Sequence, residues 1–163
     1  MSGKTVLWAF ATMCMAAMAF GAVQNAPEET ATMTDARGEQ ILNQSCSSCH
    51  ELRNIFTQAL DKDGWSKTVK TMVERGATIK ADDIPAFVDF LVRKHGPLPE
   101  GAGKKIVLNV CTQCHELERI RMMAQDRDEW EQTLVSMQNE GAPLSDDDFP
   151  IVLNYLARNF GPR

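Results

Sequence analysis

The chain has 163 residues, with 22 acidic side chains against 17 basic ones and a formal net charge of −5. That balance disfavours nucleic acid, whose phosphates call for a basic surface. Once the apolar leader is set aside, roughly 140 residues remain, enough for one domain of modest size or two very small ones.

In chain order, MSGK is followed by TVLWAFATMCMAAMAFGA, a run without a charge, and then by VQNAPEET. The lone Lys4, the apolar stretch and the small residues Ala17, Ala19 and Ala22 predict a secretory signal peptide over 1–22. Its retention as a membrane anchor is the alternative, since the run is almost long enough to span. Cys14 lies inside it without the small residues that precede a lipid-modified cysteine. Residues 23–35, Met33 included, are expected to form a flexible segment. No later window is apolar enough to cross a bilayer. Export would place the mature chain in an oxidising compartment, the periplasm of a bacterium.

Sliding the sequence by 65 residues aligns 36–97 on 101–162 without a gap, with 23 of 62 positions identical. Gly38 falls on Gly103, Trp65 on Trp130, Met72 on Met137, Gly76 on Gly141 and Pro85 on Pro150. Such self-similarity marks a duplicated unit. The boundary is expected at GPLPEG (96–101), which stops one helix and permits a turn, so the domains are read as 36–97 and 98–163.

Three main helices are predicted in each copy. The first, over 36–45 and 101–110, leads into a cysteine cluster. The second, over 62–75 and 127–140, opens on acidic residues suited to a helix start. Trp65, Val69 and Met72 share one face of it, as do Trp130, Leu134 and Met137. The third begins at DDIPAFVDFLVRK and DDFPIVLNYLARN, with Pro85 and Pro150 in its first turn; Ser145 and Asp148 form a capping pair. No alternating strand pattern occurs. The expected fold class is all-α.

The chemistry lies in CSSCHEL (46–52) and CTQCHEL (111–117). C-x-x-C-H is the signature of covalent haem attachment, in which two thiols form thioethers and the histidine supplies an axial ligand. Cys46, Cys49, Cys111 and Cys114 are the only cysteines outside the leader. Two disulfides would not require a histidine after each pair. Zinc would meet six soft ligands where a structural site wants four. A thioredoxin-like dithiol needs a strand setting that is missing. The expected cofactors are therefore two covalent haem c groups, with His50 and His115 as proximal iron ligands.

For the sixth ligand, Met72 and Met137 are the repeated candidates. Met122 and Met123 have no methionine counterpart. A methionine at helical spacing can equally be core packing, but an electron-transfer haem needs a sixth ligand and no other repeated residue is a good donor. His95 is the one spare histidine and aligns with Phe160. Bis-histidine ligation at both sites therefore cannot come from this chain alone. Glu51 and Glu116, which follow the two histidines, are candidates to line the crevices.

An opening helix with Gly38 or Gly103, the CxxCH cluster, a downstream methionine and a closing helix with DFL or NYL resemble class I cytochrome c, here as a tandem dihaem protein covering 36–162. The resemblance implies that Gly38 lets the opening helix cross the closing helix near Leu91, and Gly103 near Leu156. The pattern departs from the family around the methionine, which the family often places in a loop beside proline. CHEL…GW…M…GA is also similar to small periplasmic cytochromes that partner quinoprotein or molybdenum dehydrogenases. Together these imply a non-enzymatic relay of single electrons between a periplasmic donor, such as a dehydrogenase, and a downstream acceptor. A dihaem enzyme of the peroxidase or thiosulfate-oxidising type, with one replaceable distal ligand, is the alternative.

Overall fold

The computed structural model describes residues 32–163. Residues 1–31, and with them the expected signal peptide and most of the expected flexible segment, lie outside the described residues. No helix among the described residues is long and apolar enough to cross a membrane.

Those residues form eight α-helices and no strand. In the first copy they are α1 (Asp35–Ile41), α2 (Arg53–Phe56), α3 (Lys62–Glu74) and α4 (Ile84–His95). In the second they are α5 (Lys104–Val110), α6 (Glu118–Met122), α7 (Arg127–Asn139) and α8 (Phe149–Asn159). The three helices expected per copy are present, and the short α2 and α6 are additions. At four and five residues they are too short for periodicity to reveal.

Local chemistry sets the ends. Asp61 accepts the Gly64 amide at 2.8 Å at the start of α3. Asp126 and Glu129 exchange amide bonds at 2.9 Å at the start of α7, the reciprocal capping box. Both helices stop in the same way. Gly76 (φ 105°) and Gly141 (φ 98°) adopt the left-handed conformation that a Cβ disfavours. The next amides, of Ala77 and Ala142, then reach back to the Met72 and Met137 carbonyls at 2.9 Å. This is a Schellman stop, and it fixes each methionine in the last turn of its helix. Ser145 and Asp148 pair as expected, with Oγ to Oδ2 at 2.8 Å.

Each copy has its own core. Ile41, Leu42, Trp65, Val69, Phe87 and Leu91 belong to the first, and Val107, Trp130, Leu134, Val152 and Leu156 to the second. Leu98 is already part of the second core, and Ala59 leans on it from the first copy. Each tryptophan ties the middle helix to the end of the closing one: Trp65 Nε1 donates to the His95 carbonyl at 3.3 Å and Trp130 Nε1 to that of Phe160 at 3.2 Å.

Two expectations need adjustment. The last residues of the segment expected to be flexible, Met33 to Asp35, pack against the first copy. Met33 is buried in the first core, its carbonyl accepts from Arg93 at 3.0 Å, and Asp35 pairs with Arg93 and Lys94 at 3.0 and 2.7 Å. The glycine crossings also shift by one residue. A Cβ on Gly38 would lie 2.6 Å from Cδ1 of Phe90, and one on Gly103 would lie 2.8 Å from Cγ of Tyr155. Leu91 is turned a third of a helical turn away and faces a cavity instead.

Candidate functional site

In the first copy, α1 does not run straight into the cysteines. Leu42–Cys46 widen into a π-helical turn, closed by Ser47 N donating to the Leu42 carbonyl at 3.0 Å. Such turns insert a residue and re-aim the side chains beyond them. Ser45 Oγ then donates to the Thr78 carbonyl at 2.6 Å, tying the cysteine turn to the loop that follows α3. Ser45 also lines a partly open cavity of about 340 Å³, within the range of small-molecule and cofactor sites.

Cys46, Cys49 and His50 line this cavity from the cysteine turn, and Met72 lines it from the end of α3. Trp65, Val69, Ile55, Ile79, Phe87 and Leu91 supply apolar wall, and Arg75 stands on its lining as a lone cation. The face predicted for the middle helix is therefore the face that lines the cavity. Its outer part is half-buried at Met72, while Trp65 and Val69 are buried. His95 does not line the cavity. It lies beneath the Phe56 ring, with centroids 5.0 Å apart.

The two histidines are held alike. His50 Nδ1 is 3.0 Å from the Glu51 carbonyl and His115 Nδ1 is 3.2 Å from that of Glu116. A carbonyl only accepts, so Nδ1–H is the donor in this contact, and in the neutral ring Nε2 is then the nitrogen with the lone pair. That is the arrangement in which an outer partner fixes the tautomer and orientation of a metal-ligating imidazole. Glu51 and Glu116 thus meet the histidines through their backbone carbonyls, a contact that side-chain chemistry could not reveal, and Glu51 does not line the cavity.

The cysteines are free thiols among the described residues. Cys49 and Cys114 are exposed, Cys46 and Cys111 half-buried. Burial pushes the Cys46 thiol up and that of Cys111 up to about 11. Among the described residues no three His, Cys, Asp or Glu side chains are grouped so as to hold a metal ion by themselves. A haem iron asks only for axial ligands from the protein, because the porphyrin fills its other positions.

In the second copy α5 passes into a tight 3₁₀ turn, Cys111–Gln113, without the π-helical widening. His115 and Met137 are half-buried at the positions that repeat His50 and Met72. Met122 and Met123 point outward, 76% and 37% exposed, leaving Met137 as the partly enclosed methionine of this copy.

No protein-family profile, no curated protein and no solved structure matches this chain. Function is therefore argued from the site itself.

The first site fits a haem on two independent grounds. Its donor set holds two thiols, an imidazole with a free Nε2 and a thioether around one cavity, and its wall is mainly aromatic and aliphatic, as a porphyrin face requires. The residues that sequence reasoning missed, Ile55, Ile79 and Phe87, are wall residues from three different segments, brought together only by folding.

Proposed function

We propose that the protein is a dihaem c-type electron carrier made of two tandem class I cytochrome c-like domains. The observation that carries this reading is the convergence of Cys46, Cys49, His50 and Met72 on one cavity, repeated in sequence by Cys111, Cys114, His115 and Met137. Cys46 with Cys49, and Cys111 with Cys114, would hold haem vinyl groups as thioethers. His50 and His115 would be proximal ligands, and Met72 and Met137 distal ones.

When bound, haem supplies one-electron chemistry between its ferric and ferrous states. The residues do the rest. The Glu51 and Glu116 carbonyls keep each imidazole in the ligating tautomer, and the Schellman stops hold each methionine in its last helical turn. Trp65, Phe87 and Leu91 keep water from the first site, while methionine as the distal ligand favours a higher potential than a second histidine would. Sites with a methionine as distal ligand would suit a relay between a donor, such as a dehydrogenase, and an acceptor in the periplasm. With the propionates of two haems added to an acidic chain, a partner with a basic docking face would be steered toward it.

The test is the visible to near-infrared spectrum of the oxidised mature protein, with the methionine-to-iron charge-transfer band scaled to total haem. Band intensity for both haems is expected, falling by half in Met72→Ala and vanishing in the double variant with Met137→Ala. Carbon monoxide binding by the resting ferrous protein would instead favour the enzymatic alternative. A mature protein without covalent haem would overturn the reading altogether.

A further inference from the structure

The two attachment turns are not independent. Arg53 leaves α2 of the first copy and donates from Nη2 to the carbonyls of both Thr112 and Gln113, at 2.9 Å each. Those carbonyls lie between Cys111 and Cys114. Beside them the Leu117 amide donates to the Phe56 carbonyl at 3.2 Å, so α2 grips the second cluster at both ends. Further along, Arg121 donates to the Gly96 carbonyl, which secures the link between the copies.

The relation has no counterpart in the other direction. The residue that repeats Arg53 is Glu118, which cannot donate, and its Oε2 is buried without a hydrogen-bond partner. The Ser47 and Ser48 carbonyls, which repeat those of Thr112 and Gln113, receive no side-chain bond among the described residues. The first turn is instead tied within its own copy, by Ser45 to Thr78. Ser45 repeats as Val110, which has no hydroxyl, so that tie cannot form in the second copy.

We propose that Arg53 is a positioning residue for the second haem site, bracing from the first copy the carbonyls of an attachment turn whose own side-chain bonds, Thr112 to Leu108 and Gln113 to Asn109, run only back to α5. A guanidinium suits the task because two N–H groups on one planar nitrogen can serve two neighbouring carbonyls in fixed directions, which a lysine ammonium on a flexible stem does less well. Braced in this way, Cys111, Cys114 and His115 keep one spacing while the thioethers form. The second site thus depends on the first copy, and the first does not depend on the second.

This inference rests on the dihaem reading, and one experiment separates the two. The full-length chain is produced in cells able to attach haem c and then digested, and the peptides carrying CSSCH and CTQCH are weighed separately. The wild type is expected to carry haem on both. Arg53→Met should lower haem on the CTQCH peptide several-fold and leave the CSSCH peptide loaded. Arg53→Lys should give a smaller loss confined to the same peptide. Equal loading of both peptides in Arg53→Met, or a parallel fall at both, would overturn the inference and leave the dihaem reading standing. No haem on either wild-type peptide would overturn the dihaem reading and this inference with it.

Discussion

The two copies keep the same frame and differ in what they place around it. Both use a glycine to let the opening helix meet an aromatic residue of the closing one, a tryptophan tied to the end of that helix, and a Schellman stop after the methionine. Around the frame, Arg53 becomes Glu118, Gln58 becomes Met123, Arg75 becomes Glu140, Phe90 becomes Tyr155 and His95 becomes Phe160. The parts that hold the candidate site in place are thus shared, whereas several residues that meet the neighbouring copy or line the first cavity diverge. Duplication permits this division, because two packed copies cannot both occupy the same side of their interface.

The largest effect expected from testing the shared frame is at the tryptophans. Trp65→Ala and Trp130→Ala each remove a nearly fully buried ring and should cost about 3–5 kcal/mol, read from urea unfolding of the mature protein. Comparable losses would show that the copies depend equally on this anchor. A cost confined to Trp65 would mean that the second copy is held mainly by the first.

Next comes a difference between the copies. His95 is 7% exposed, and burial first, then Arg121 and Lys94, lower its pKa from 6.5 to about 4. The folded form therefore refuses a proton that the unfolded chain accepts. The resulting stability is complete above about pH 6.5 and is lost as the pH falls toward 4; its full size is up to roughly 3 kcal/mol. His95→Phe, which makes the position like Phe160, should flatten the thermal midpoint over that window. An unchanged acid slope would assign the sensitivity to other groups.

A smaller effect is expected at the crossings. Gly38→Ala and Gly103→Ala each push a methyl into an aromatic residue and should cost about 1–3 kcal/mol. Gly103→Ala should be the more damaging, since the added Cβ meets the first side-chain atoms of Tyr155, while on Gly38 it meets the ring of Phe90. Thermal melts of the two variants, side by side, would decide the order. Smallest is Tyr155→Phe, which gives the second copy the aromatic of the first. It removes the 2.7 Å bond from the hydroxyl to the Pro99 carbonyl and should cost about 1 kcal/mol. A loss within error in the same melts would mean that water replaces the bond at no cost.

The sequence by itself determined what is local or periodic. The repeat, the two CxxCH clusters, the face shared by Trp65, Val69 and Met72, and the helix stops at Gly76 and Gly141 all follow from spacing and from the conformations that individual residues allow. Only the tertiary structure decided which surfaces meet. A π-helical turn re-aims Cys46, Phe90 rather than Leu91 takes the glycine crossing, Met33 joins the first core, and the Glu51 and Glu116 carbonyls orient the imidazoles. Arg53 reaches carbonyls 59 and 60 residues away. Backbone geometry propagates along a few residues and so can be read from them, whereas a contact between distant segments exists only once the intervening helices have packed.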